Sequence, residues 1–95
     1  MSHTDSAVYG MSRPTVAGTR AVLAAVAGHG GAAHWDQLLA TAGLNGSETD
    51  NASLERLLGA MTAAGGVTAQ CAHAQSIRLV CHTRLTAVHD LVHAA

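Results

Sequence analysis

The chain of 95 residues suits one domain with only a modest core, so we expect oligomerisation to add stability. It contains no Phe or Lys, and its pI of about 6.6 is below the value of about 9 or more typical of domains that mainly grip DNA phosphates. No apolar stretch approaches the roughly 18 residues of a membrane span, and the N-terminus lacks a signal-peptide pattern. We therefore expect a cytoplasmic protein with no membrane partner.

The N-terminal third of the chain predicts a flexible arm followed by the first helix of a folded domain. Residues 1–14 have no apolar periodicity and a polar composition, which is typical of a disordered arm. The folded domain is expected over residues 15–95. Its first helix opens at Thr15, continues with apolar residues at three- and four-residue spacing, and ends in the glycine-rich residues 28–31.

Two further helices are predicted in the middle of the chain. A short helix over residues 33–42 is followed by Gly43, which is expected to take the left-handed conformation at its C-terminus. The clearest amphipathic helix covers residues 51–64 and is stopped by two glycines. Its N-cap is left open among four polar residues, namely Ser47, Thr49, Asp50 and Asn51.

The C-terminal third predicts a two-stranded hairpin and a closing helix. Apolar and polar residues alternate over residues 67–71 and again over 77–81, as in half-buried strands. Helical spacing returns from residue 82 or 83 to 92. The expected core comprises Val22, Leu23, Val26, Leu38, Leu39, Leu54, Leu57, Leu58, Met61, Leu79, Leu85, Val88 and Val92.

Three segments carry a likeness to a known family. They are WDQLLATAGL at residues 35–44, SLERLLGAMTAAGGV at residues 53–67, and Ile77-Arg78-Leu79 leading into Leu85-Thr86. In this order they resemble the winged helix-turn-helix family, over about residues 15–92. The resemblance implies a mainly α fold with a small β-hairpin: three helices, a two-stranded wing and a C-terminal helix. The family includes transcription regulators and dimerisation domains that do not bind DNA, so the fold leaves function open.

The resemblance implies a small dimeric DNA-binding protein, a transcriptional regulator. Helix 51–64 would enter the major groove of double-stranded DNA, and the wing, residues 72–78, would flank it. The DNA-binding residues expected on these elements are Ser53, Arg56, Gln75 and Arg78. Arg56 has the chemistry to read guanine, and Arg78 to hold a phosphate. With so few cations the binding would be weak or salt-sensitive, and both arginines also fit the role of solvated surface residues.

A protein-interaction or dimerisation module without DNA binding is the alternative. The outward face of helix 51–64 carries the small residues Ala52, Gly59 and Ala63, which let another protein approach closely. A homodimer is expected to pack the first and last helices across a two-fold axis, through residues 21–27 and 85–92.

Two cysteines and two histidines, Cys71, His73, Cys81 and His82, crowd the predicted hairpin and would suit zinc. However, its register pairs Cys71 with Ile77 and separates the two thiols by about 13 Å, at roughly 3.3 Å per residue. This is too far for a disulfide or a shared metal, so both cysteines are expected to be small core residues.

A histidine stripe, His82, His89 and His93, lies on the predicted last helix. The spacing of His89 and His93 allows metal chelation or titration near neutral pH, but a helix C-terminus also favours histidine through its dipole. We assign no metal site and no cofactor. The chain also lacks a phosphate-binding loop and a nucleophile motif, so no enzymatic activity is expected.

Overall fold

A computed structural model describes residues 7–8 and 11–94 of the chain, and within them the fold is helical. The three helical elements are α1 (Val16–Ala42), α2 (Asn51–Ala64) and α3 (Gly66–Ala94). α2 packs against both α1 and α3, and the molecule measures 48 × 25 × 23 Å. The long dimension follows from α3, whose 29 residues extend about 43 Å at 1.5 Å per residue.

The first element, α1, consists of two helical pieces. The Thr15 side chain caps its start by accepting the backbone N–H of Gly18 at 3.0 Å. Gly28 breaks it with φ 63° and ψ −140°, angles that an L-residue rarely adopts. This break confirms that a glycine-rich segment divides the first two predicted helices, although the second piece begins a few residues earlier than expected.

The end of α1 and the start of α2 follow the prediction closely. Gly43 takes the left-handed conformation, with φ 74°, and the N–H of Leu44 donates to the carbonyl of Leu39 at 2.9 Å. Asp50 is the N-cap of α2, since its carboxylate accepts the backbone N–H of Ser53 at 2.9 Å. The predicted helix 51–64 is confirmed with the same bounds.

The predicted wing is wrong, because residues 67–81 are helical and belong to α3. Gly65 and Gly66, with φ of 76° and 59°, turn the chain so that α3 starts directly after α2. No Gly, Pro, Asn or Asp occurs in residues 67–89, so a tight hairpin turn has none of its usual residues. Ala and Gln, which are frequent in this stretch, favour a helix. The winged helix-turn-helix architecture is therefore corrected to an all-helical one.

The predicted flexible arm, residues 1–14, lies partly outside the described residues. Within the described part, β1 (Ala7–Val8) pairs antiparallel with β2 (Met11–Ser12), and β1 lies against α3. These two-residue segments form no sheet layer. Arg13 donates to the carbonyl of Thr49 at 2.8 Å and to Oδ1 of Asn51 at 3.0 Å, which fixes the chain before α1 against the start of α2.

The core is aliphatic, as expected, and lies where the three helical elements meet. Trp35, Val16, Cys71 and Ala72 join it, and eight predicted members are confirmed as buried: Leu23, Leu38, Leu39, Leu54, Leu57, Leu58, Met61 and Leu79. Val26, Val88 and Val92 are exposed, so their prediction as core residues is wrong. Without a wing to fold back, α3 continues past the core, and none of its described residues beyond His82 is buried. No helix of the described chain has the length and hydropathy to cross a membrane.

Candidate functional site

The structure places Ser53, one of the expected DNA contacts, inside the α2 cap. Its side chain is buried, and its hydroxyl donates to Oδ1 of Asp50 at 2.8 Å. Together the hydroxyl and backbone N–H of Ser53 lower the pKa of Asp50 from its ordinary value, with a smaller contribution from the charge of Arg56. The hydroxyl is thus occupied in stabilising the helix start.

Arg56 is exposed on α2, as expected, but it leans toward neighbouring protein groups. Its Nη2 lies 3.4 Å from Oγ of Ser53, and its guanidinium is close to Gly43 at the C-terminus of α1. A cation at that position interacts favourably with the helix dipole. Ser53 and Arg56 are therefore brought together, by the cap and not by a DNA-facing surface.

The remaining two expected contacts, Gln75 and Arg78, differ in exposure, since the first is buried and the second is exposed. Gln75 is buried, and its Nε2 donates to Oγ1 of the equally buried Thr19 at 2.8 Å, which links α3 to α1. Arg78 is exposed on α3, where no wing surrounds it. Consequently, the four expected side chains do not form one continuous basic surface in the described part of the chain.

The cysteines and histidines do not gather into one cluster. Cys71 and Cys81 lie ten residues apart along α3, about 15 Å at 1.5 Å per residue, and both thiols are free. His82 is buried and its Nε2 has no hydrogen-bond partner, whereas the rings of His89 and His93 stack with centroids 4.1 Å apart. Within the described residues, no group of three His, Cys, Asp or Glu side chains is arranged to hold a metal ion.

The loop between α1 and α2 satisfies its own polar groups. The carboxylate of Glu48 accepts the backbone N–H groups of Asn45 and Gly46, both at 2.9 Å. These bonds, that from Asn45 foremost, lower the pKa of Glu48. The backbone amides of Asn45 and Gly46 are therefore occupied, and the hollow beside them, next to Trp35, receives no free amide donor from either residue.

The unforeseen feature is the outer face of α3, which we define by Ile77, Val80, Val88 and Leu91. Their side chains are 52%, 51%, 50% and 75% exposed. At 100° per residue they lie within about 80° of one another, on the side of the helix opposite its buried residues. They form an apolar stripe whose side chains are each at least half exposed.

Two hollows border this outer face. The first, of about 260 Å³, is almost wholly apolar and is lined by His73, Ser76, Ile77, Val80 and Cys81. The second, of about 340 Å³, lies between α2 and α3, and its lining includes Glu55 from α2 and Ser76 and Val80 from α3. The two hollows share Ser76 and Val80 in their linings.

The sequence analysis missed this face because it placed residues 77–81 in a strand and Val88 in the core. The signal that could have found the face is the succession 77, 80, 84, 88, 91, with steps of three and four residues, in a stretch without turn residues.

Comparison with protein-family models, with curated proteins and with solved structures found no match to this chain.

Proposed function

We propose that this chain is a small helical protein-interaction module that docks through the outer face of α3. One observation carries the proposal. Of the seven large aliphatic side chains exposed in the described part of the chain, six belong to α3, and four of these share the outer face. Contiguous exposed apolar surface of this kind is typical of a protein interface.

Burial of this face would contribute favourably to association. Full burial of a Val, Ile or Leu side chain contributes about 1.5–3 kcal/mol, and the four side chains are each at least half exposed. Covering them would contribute on the order of 3–6 kcal/mol on this side of the interface alone. The partner's apolar groups add to this, against the entropic cost of association.

The same geometry favours protein docking as the function and gives less support to DNA binding. Two of the four side chains expected on DNA, Ser53 and Gln75, have hydrogen-bond partners within the fold, and Arg56 lies against the cap of α2. The net charge of −1 provides little attraction for phosphates. DNA binding stays a prediction from the sequence, and a titration described below tests it.

The half-buried thiol of Cys81 tests the proposal, because it lines the apolar hollow on the outer face. A maleimide should label Cys81 slowly in cells that produce the protein and rapidly in dilute purified protein. Val88→Asp should abolish the difference by disrupting docking, whereas Thr83→Asp, exposed on the same helix but away from the face, should preserve it. The buried thiol of Cys71 serves as the internal reference.

Equal labelling of Cys81 in cells and in dilute solution would contradict the proposal. So would protection that Val88→Asp and Thr83→Asp affect equally.

A further inference from the structure

We propose that the occupant of the outer face is a second copy of this chain, with the two α3 helices antiparallel and Arg84 of each copy beside Glu55 of the other. This inference rests on the proposed docking function and names its partner. Arg84 lies in the middle of the outer face, between Val80 and Val88. Any pairing of two such faces must accommodate this charge.

Two simple arrangements fail on electrostatic grounds. A parallel pairing in register places the two Arg84 side chains side by side. An antiparallel pairing centred on residue 84 places them directly opposite one another. Like charges in such positions are destabilising, and the effect is larger at a partly desolvated interface than in water.

An antiparallel pairing with its two-fold axis two residues earlier, at the level of His82, reduces this conflict, because the two Arg84 side chains are then one helical turn apart, about 6 Å at 1.5 Å per residue. Arg84 then lies level with Val80 of the partner copy, which lines the hollow between α2 and α3 together with Glu55. Within the described part of the chain, neither the carboxylate of Glu55 nor the guanidinium of Arg84 forms a side-chain hydrogen bond or salt bridge. Two-fold symmetry produces the Arg84–Glu55 pair twice, so the charges of the two faces are complementary.

Two of the four apolar side chains of the face, Val88 and Leu91, fit the same register. Val88 comes level with Ser76 of the partner copy, where the apolar hollow of about 260 Å³ opens, and Leu91 comes level with its His73 at the hollow's rim. Residues 70–94 of the two helices overlap over about 37 Å at 1.5 Å per residue. The arrangement that pairs the charges is therefore also the one that fills the hollow.

The solution mass of the full-length protein over a range of concentrations tests this proposal. We expect the wild-type protein to reach twice the 9.6 kDa chain mass as concentration rises. Arg84→Glu and Glu55→Arg should each weaken association at least about tenfold, because each turns two attractive pairs into repulsive ones. The double variant should recover most of the loss. Arg78→Glu, an equal charge change on α3 away from the face, is the matched control.

The position of the two-fold axis gives a second readout. At this register the two Cys81 side chains lie near the axis on the same side of the helix pair, so a short bis-maleimide should link two copies, and Cys81→Ser should abolish the link. Circular dichroism verifies that each variant remains helical.

The outcomes separate this inference from the docking function on which it rests. A wild-type protein that stays monomeric at all concentrations, while its Cys81 is protected in cells, overturns the second copy as partner and leaves the docking function standing. A dimer that ignores both charge reversals, or whose double variant is no better than the singles, overturns the register. A monomer whose Cys81 is equally labelled everywhere overturns both.

Discussion

The hydrogen bond between Gln75 and Thr19 gives the most quantitative test of the helical architecture, since it joins α3 to α1 in the core. Both side chains are buried, 3% and 0% exposed, and Nε2 of Gln75 donates to Oγ1 of Thr19 at 2.8 Å. Thr19→Val leaves that amide buried without an acceptor, which costs about 1–3 kcal/mol. A loss of 2 kcal/mol lowers Tm by roughly 8–16 °C in a domain of this size.

Urea unfolding of single and double variants isolates the interaction. The hydroxyl of Thr19 also donates to the carbonyl of Thr15 at 2.8 Å. Thr41→Val is the matched control, because the hydroxyl of Thr41 likewise donates to the carbonyl of Gln37, at 2.9 Å, but Thr41 is exposed. It should change the free energy of unfolding by less than about 0.5 kcal/mol. Adding Gln75→Met to Thr19→Val removes the orphaned amide and should recover at least about 1 kcal/mol.

All proteins in this comparison are measured at one concentration, because dimerisation would make stability depend on concentration. Two results would contradict this bond: a loss of unfolding free energy in Thr19→Val no larger than that in Thr41→Val, or losses in Thr19→Val and Gln75→Met that simply add in the double variant. Either result would mean that Gln75 does not join α3 to α1 and is a surface residue, as the wing prediction had it.

Three further predictions concern the loop, the cap and DNA. The pKa values of Glu48 and Asp50 are lower in the folded protein than their ordinary values of about 4, so both carboxylates stabilise the fold at higher pH, and this contribution is lost as pH falls through the folded pKa values. Glu48→Gln should therefore reduce the fall in the urea midpoint between about pH 5 and pH 3. Gly43→Ala should destabilise the protein by about 1–2 kcal/mol in the same assay, because φ is 74° there, and Gly59→Ala, in an open part of α2, should not destabilise it. In a fluorescence titration with double-stranded DNA at low and at physiological salt, we expect no binding at either, and no effect of Arg56→Ala; binding at low salt that Arg56→Ala abolishes would support the DNA-binding prediction instead.

The sequence predicts those elements whose signals are local and agree with one another. In α2, leucines at helical spacing, a group of polar cap candidates and two terminal glycines point to the same bounds, and the structure has these bounds and selects Asp50 as the cap. Gly43 was predictable because a glycine directly after an apolar periodic segment commonly ends a helix in the left-handed conformation. Local chemistry thus determines the first two thirds of the fold.

The last third was mispredicted for a physical reason. Five residues of alternation, as in 67–71, fit a strand and equally fit one and a half turns of a helix with small side chains. The missing turn residues were the stronger evidence, since a hairpin needs a specific turn whereas a helix needs only good propensity. Once α3 is continuous, Ile77 and Val88 move from an expected interior to one exposed face, which is why the candidate site could not be found with the wing in place.

The labelling rate of Cys81 is the most direct measure of whether the outer face of α3 is a docking surface. We expect Cys81 to react at least about tenfold more slowly in cells than in dilute purified protein, because a partner would occupy the face most of the time. Val88→Asp should bring the two rates together. Equal rates for the wild-type protein, relative to the buried thiol of Cys71, would contradict this expectation.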